Sequence, residues 1–529
     1  MASLSAFDLL AKSSPASVST QGSSSASERR LKEYLYVRDA VHDALMHTLQ
    51  ERAGVPRSVV FLCGTSGDGK SELIRRARPG FEATYRFHVD ATHSFRPDGT
   101  ALDALEELFA ADDPRPVLVG VNLGLLANFA NHSASTHMNL KAEIHAFFGK
   151  KPLGHQARFV DFNDFPKFSA DAEGRLISPF LLELFRRTTA CVPENPIFEA
   201  LNADEKVGSQ RWKNFRLLSV PAIQRRLLHV LAVCHLRDGV FLPNRTLLDL
   251  LHHLIAADGY FFDTLFTSEQ SELLRSAAAL DPAARRSKET DQFLLSNQSA
   301  DPEAIAFREA LARDVGFTLD DVQAHGWIRL YYLLQGEKLG NSFHLRFAPA
   351  LDDPTLNRYL QTWAAHDKRE RTRIRGFCEE TLRPALLAFA NRAYPRVGSN
   401  RLYLGRRGTS VLSAPVHIKA APPDAAPPRQ SRTIDKFVLT MKPTLDGPPV
   451  HVSISFRLFD LLERIRDGLR PNPHDKSTVM LLESLVEVVV AAAAKQDELI
   501  LARDATPAAP KAAWRLRLEG SEIDVEAVE

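Results

Sequence analysis

Three adjoining stretches decide the fold: Ser58-Val-Val-Phe-Leu-Cys63, Gly64-Thr-Ser-Gly-Asp-Gly-Lys-Ser71 and Glu72-Leu-Ile-Arg-Arg-Ala77. Val59 to Leu62 is an apolar run of the kind that forms a parallel strand buried on both faces. Gly64, Gly69, Lys70 and Ser71 fit G-x-x-x-x-G-K-[ST], the spacing of a phosphate-binding loop. Glycines let such a backbone curl so that several N–H groups point at phosphate oxygens. The helix that follows adds the positive end of its dipole. In this reading Gly64, Thr65, Ser66, Gly67, Asp68, Gly69, Lys70 and Ser71 hold ATP. Lys70 offsets charge on the β- and γ-phosphates, and the Ser71 hydroxyl ligates Mg2+. At an average glycine usage of ~7%, the four fixed positions coincide by chance in only ~2% of chains this long.

Outward from this stretch, strands and helices alternate, which implies a parallel sheet covered on both faces. Strands are expected at Tyr85 to Val89, Val117 to Val121 and Arg158 to Val160. They end at Asp90, at Asn122 and in Asp161-Phe-Asn-Asp164. Ligands of open α/β sheets sit at the carboxyl ends of strands, so these polar residues fall on the edge that carries the loop. Asp90 is the first choice for the acid that holds Mg2+, Asn122 for the group that positions water, and Asp161 and Asp164 are further catalytic candidates, ranked below Asp90. The apolar-apolar-Asp-Glu pair common in such ATPases is missing, so binding is better supported than hydrolysis.

Leading into the core, Leu31, Leu35, Val37, Val41, Leu45 and Leu49 recur at helical spacing and predict one helix that ends before Gly54 and Pro56. The segment 1–30, rich in Ser, Ala and Thr, reads as a flexible arm. The core is expected over 31–178 and a helical lid over 179–290. A mainly helical region with basic segments follows over 291–419, then a Pro/Ala-rich linker over 420–433 and a small α+β domain over 434–529. The lid resembles that of AAA-type ATPases, and Arg245, at the start of its third helix, stands where a lid arginine would reach the γ-phosphate. Arg186, Arg187, Arg225 and Arg226 could act on a neighbouring subunit. Arg392 to Arg407, with Tyr394 and Tyr403 interleaved, is the best candidate for DNA contact, direct or through a partner.

Composition narrows the classes. The 529 residues carry a net charge of +1, with 44% hydrophobic and 25% charged residues, so no global field draws the chain to nucleic acid or membrane. The four cysteines form no C-x-x-C pair, which argues against structural zinc and a disulfide framework. The amino terminus lacks the pattern of a signal peptide and no apolar run is long enough to span a bilayer, so a cytoplasmic protein without a membrane partner is expected.

The stretches L-K-E-Y-L-Y-V at Leu31, F-L-C-G-T-S-G-D-G-K-S-E at Phe61, D-A-T-H-S-F at Asp90, V-G-V-N-L-G-L-L-A-N at Val119 and V-D-F-N-D-F at Val160 resemble one family. It is the DptF-type ATPase component of bacterial phosphorothioation-dependent restriction systems. The resemblance implies an ATP-binding, hydrolysing subunit that works with the other subunits of a DNA restriction complex in phage defence. It implies no nuclease chemistry for this chain, and oligomerisation stays open. Two other readings share the loop: a non-hydrolysing ATP-dependent scaffold and a P-loop small-molecule kinase.

Overall fold

The computed structural model describes residues 7–11, 26–89, 100–133, 137–204, 208–335, 343–351, 353–397, 400–421, 433–443, 448–471, 476–493, 498–503, 512–519 and 522–528. They divide into two compact units: Met1–Lys167 with Ser178–His235 and Gly239–Asp352, and Phe168–Ile177 with Leu236–Asp238 and Asp353–Glu529.

The first unit is built on four parallel strands, β1 (Val59–Cys63), β2 (Arg86–His88), β3 (Val117–Val121) and β4 (Ala157–Asp161), in the order β2-β3-β1-β4. Helices α1 (Ala26–Leu35), α2 (Ala40–Arg52), α3 (Lys70–Phe81), α4 (Ala101–Ala110), α5 (Leu123–His132) and α6 (Met138–Phe148) surround it. Alternation along β1 sorts the core. Val59, Phe61 and Cys63 pack with Leu105, Leu126, Phe129 and Ile144 on one face. Val60 and Leu62 pack with Leu45, Leu49, Leu73 and Ile74 on the other. Every residue of β1 is buried, which is why its sequence reads as a continuous apolar run. Gly120 of β3 has no room for a side chain, since a Cβ there would lie 2.5 Å from the Val89 carbonyl oxygen.

The approach to β1 differs from the expected single helix. Tyr36 to Asp39 is not helical, and the Asp39 carboxylate starts a second helix by accepting from the His42 N–H at 3.0 Å. The end of the first helix is gripped by Arg187, whose guanidinium donates to the carbonyl oxygens of Tyr34 at 3.1 Å and Tyr36 at 2.6 Å. Apolar spacing carries through the break although the helices pack differently, α1 on α7 and α8 and α2 on β4 and β1. The expected arm over 1–30 is also interrupted by structure: α1 begins at Ala26, and Phe7 and Leu10 are buried.

After the sheet come α7 (Pro179–Thr188), α8 (Pro196–Asp204), α9 (Gln210–Leu218), α10 (Pro221–Asp238), α11 (Asn244–Ile255), α12 (Phe261–Thr267), α13 (Glu272–Ala278), α14 (Lys288–Gln298), α15 (Pro302–Val315), α16 (Ala324–Leu333) and α17 (Phe343–Leu351). No boundary falls near 290. The buried Arg329 of α16 donates to both carboxylate oxygens of Asp281, at 3.0 and 2.6 Å, and to Asp263 of α12 at 2.8 Å. A guanidinium out of water needs this full set of acceptors, so the lid and the first part of the middle region form one body.

The second unit holds a short hairpin of β5 (Ser169–Ala170) and β6 (Leu176–Ile177), and helices α18 (Thr355–Asp367), α19 (Arg371–Phe377), α20 (Arg383–Ala390), α21 (Phe456–Arg466) and α22 (Lys476–Ala493). Its larger strands are β7 (Arg401–Arg407), β8 (Ser410–Pro415), β9 (Lys419–Ala420), β10 (Lys436–Lys442), β11 (Val450–Ser455), β12 (Glu498–Arg503), β13 (Ala512–Glu519) and β14 (Glu522–Val528). They form an antiparallel sheet in the order β14-β13-β12-β8-β7 and another in the order β11-β10-β9. The Pro/Ala-rich stretch is therefore no domain boundary. β9 on one side of it pairs with β10 on the other, Ala420 opposite Met441, while β8 pairs with β12. Residues 422–432 of that stretch lie outside the described residues.

Candidate functional site

The loop from Gly64 to Gly69 joins β1 to α3. Gly67 and Gly69 take φ of 89° and 103°, a left-handed conformation that costs a residue with a Cβ roughly 1–2 kcal/mol. Gly69 is also the residue that opens α3, and it supplies no side-chain acceptor to the first turn. A helix that starts this way needs an acceptor from elsewhere for its leading N–H groups. Lys70 stands at that start. Its Nζ donates to the Gly64 carbonyl oxygen at 2.9 Å and to the Thr65 carbonyl oxygen at 2.8 Å, so the amine curls over the loop. Ser71 is the next residue of α3.

The other loop side chains act on the loop itself. The Asp68 carboxylate accepts from the Thr65 N–H at 2.6 Å and from the Thr65 hydroxyl at 2.8 Å. Lys167 stands 3.7 Å from the same carboxylate. Burial holds the Lys167 ammonium below its ordinary pKa, and Asp68 works against that shift. The loop motif places Asp68 among the nucleotide-binding residues, and its side chain braces the loop. Lys167 escapes a reading of the sequence because a lone lysine after D-F-N-D-F-P carries no spacing that marks it. Phe162 closes the start of the loop, since a Cβ on Gly64 would lie 2.9 Å from its ring.

A second helix begins on the same loop. Asn244, the first residue of α11, donates from Nδ2 to the Asp68 carbonyl oxygen at 2.9 Å, and the Arg245 N–H donates to the Gly67 carbonyl oxygen at 3.3 Å. Gly67 is pressed so closely that a Cβ would lie 3.3 Å from that of Arg245 and 3.4 Å from that of Pro243. The Asn244 Oδ1 is buried and lacks a hydrogen-bond partner among the described residues. Arg245 thus lies against the loop through its backbone.

The strand ends are in register with the loop. Val121 and Asp161 flank Cys63, each one strand away, or ~4.8 Å in the pairing direction. Asn122 follows Val121, and its Oδ1 accepts from the Leu125 N–H at 2.7 Å, which caps α5. Asp161 is buried and accepts from the Asn163 N–H at 3.0 Å. Burial, reinforced by the charge of Asp161, holds the Asp164 carboxyl above its ordinary pKa. Asp90 lies outside the described residues; the strand leading to it, β2, is two strands from β1. Among the described residues no group of three or more His, Cys, Asp or Glu side chains is placed to hold a metal ion. No single helix among them is long and apolar enough to cross a membrane.

The outlying arginines are engaged within the chain. Arg186 and Arg187 both pair with Glu183 at 2.7 Å, and the Arg186 hydrogen bond holds the Glu183 carboxyl down at about 2. Arg226 lies 4.8 Å from the Tyr332 ring centroid. In the second unit Arg401 to Arg407 is strand β7, and Tyr394 and Tyr403 stack on each other with centroids 5.9 Å apart. The two rings therefore cover one another instead of standing as separate platforms. Arg406 and Arg407 remain exposed at the turn into β8.

No protein-family model matches the chain, and no curated protein or solved structure is similar enough to count as a match.

Proposed function

We propose that this chain binds ATP with Mg2+ at Gly64–Ser71, in a core of the P-loop NTPase type with an AAA-like lid. We further propose that it is the ATP-binding, hydrolysing subunit of a phosphorothioation-dependent DNA restriction complex. The observation that carries the first part is the junction of β1 and α3. A fully buried parallel strand ends in a glycine loop, the helix beyond opens without a side-chain cap, and an ammonium group lies over the loop carbonyls. That donor set suits a triphosphate: backbone N–H groups and a helix dipole for its oxygens, and Lys70 for its charge. The Ser71 hydroxyl is the protein ligand offered to Mg2+, which when bound neutralises phosphate charge. Arg245 and Asn244 are brought to the loop by α11, where they would sense what it holds.

Support for the second part is the set of motifs quoted above, of which V-G-V-N and V-D-F-N-D-F lie at the ends of β3 and β4, the strands that flank β1. Single-turnover ATP hydrolysis, measured alone, with duplex DNA and with proteins co-purified from the native cell, tests it. Turnover that rises with DNA and partners is expected. Transfer of phosphate to a nucleoside or sugar would replace it with the kinase reading, and binding without turnover under every condition with the scaffold reading.

A further inference from the structure

Phe7 and Leu10 are each 3% exposed, deep burial for a segment so near the start of the chain. They lie on one tight turn, closed by the Leu10 N–H donating to the Phe7 carbonyl oxygen at 3.1 Å and the Ala11 N–H to that of Asp8 at 3.3 Å. The turn packs on α11. The Phe7 ring stacks on the His252 imidazole with centroids 4.6 Å apart and planes 26° apart. The Arg211 guanidinium of α9 lies 5.6 Å from the same ring's centroid. His252 Nδ1 is buried without a hydrogen-bond partner among the described residues, which suits an imidazole used for its flat face. Aromatic stacking and cation–π contact are the interactions this face offers, and a phenylalanine fits both.

Residues 12–25 separate the turn from α1, enough chain to reach ~45 Å when extended. A turn anchored by two apolar side chains and set apart from α1 by this length of chain is an intramolecular ligand. We propose that the face of α9 and α11 around Arg211 and His252 is a receptor for a Phe-Asp-Leu-Leu turn. The chain's own N-terminal segment fills it in cis, and the same segment of a second copy fills it in trans. A second copy is the fitting partner because it presents the identical turn and needs no new complementary surface. Because the cis segment belongs to the same chain, its binding is intramolecular, so exchange is held back until that segment is removed or competed away. The site lies on the helix that begins at the glycine loop, yet the proposal does not depend on nucleotide binding.

A fluorescein-labelled peptide of residues 1–12, titrated onto full-length protein and followed by anisotropy, tests it. Saturable binding is expected to the full-length Phe7→Ala/Leu10→Ala variant, at least ten-fold weaker binding to the parent, and at least ten-fold loss when His252→Ala is added to the variant. Equal binding to parent and variant, or none to either at ~1 mM peptide, the weak end of the affinity scale, overturns the proposal. A second measurement needs no variant. Excess unlabelled peptide added to the parent should speed hydrogen exchange at the Leu10 and Ala11 amides while α9 and α11 stay protected, and unchanged exchange there also overturns it.

Discussion

Asp68 and Lys167 make the sharpest test of how the loop is held. Asp68→Asn keeps the side chain's shape and one acceptor for Thr65 but removes the negative charge. The ion pair at 3.7 Å, with side chains 11% and 22% exposed, is worth ~4 kcal/mol of attraction at an effective dielectric constant of ~20, before the cost of removing both charges from water. Breaking one side of a buried pair costs ~3–5 kcal/mol, because the survivor is left uncompensated. Lys167 keeps some access to water, so Asp68→Asn should cost less, ~2–4 kcal/mol. Lys167→Met removes the cation, and Asp68 retains its two bonds to Thr65, so ~1–2 kcal/mol is expected. In the double variant most of the Asp68→Asn penalty should vanish, a coupling of ~1–3 kcal/mol. Native-state hydrogen exchange at the amides of β1 and β3 reads the loss in the first unit directly, without assuming that both units unfold together. Penalties that add to within ~0.5 kcal/mol would show that the pair does not brace the loop.

Three further outcomes are expected. Asp90→Asn should spare ATP binding without Mg2+ and reduce turnover; if turnover persists and Asp164→Asn abolishes it, the Mg2+ acid belongs to β4. Docking of the Phe7 turn should depend on pH. Burial, helped by His253 and Arg211 and opposed by Asp249 and Asp8, holds His252 below 6.5, so its contribution is complete above that pH and is lost as the pH falls through the lowered value. Exchange at the Leu10 and Ala11 amides checks this, and tighter docking in acid would refute it. Replacing Arg401, Arg406 and Arg407 together with Ala should flatten the salt dependence of any duplex DNA binding, by ~0.9 log units per log unit of salt for each phosphate these side chains neutralise, with ATP binding unchanged. An identical slope before and after would clear β7 of DNA binding.

The α/β core was legible because its signals are local. Val59 to Leu62 is buried on both faces and therefore uniformly apolar, and Gly67 and Gly69 are glycines because their φ demands it. Signals that depend on distant partners were not. Nothing near Lys167 in the chain announces Asp68, and nothing near Asn244 announces the loop whose carbonyl it binds. The β7–β8 hairpin reads as a basic segment because its arginines obscure the alternation of Leu402, Val411 and Ser413, which point inward. Proline and alanine between β9 and β10 resemble a linker, yet the strands on either side pair, a long-range fact that composition does not carry. The break at Tyr36 to Asp39 hides behind apolar residues that keep helical spacing on both sides of it, and only the cap at Asp39 marks it.

The central claim, that Gly64 to Ser71 holds ATP, is tested most directly by calorimetric titration of Mg2+-ATP into the parent and Lys70→Ala proteins. Lys70 supplies charge-assisted contacts of ~1.5–3 kcal/mol, so the account predicts binding by the parent and an affinity at least ~ten-fold weaker in the variant. Equal affinity in the two proteins, or no binding by the parent, would contradict it.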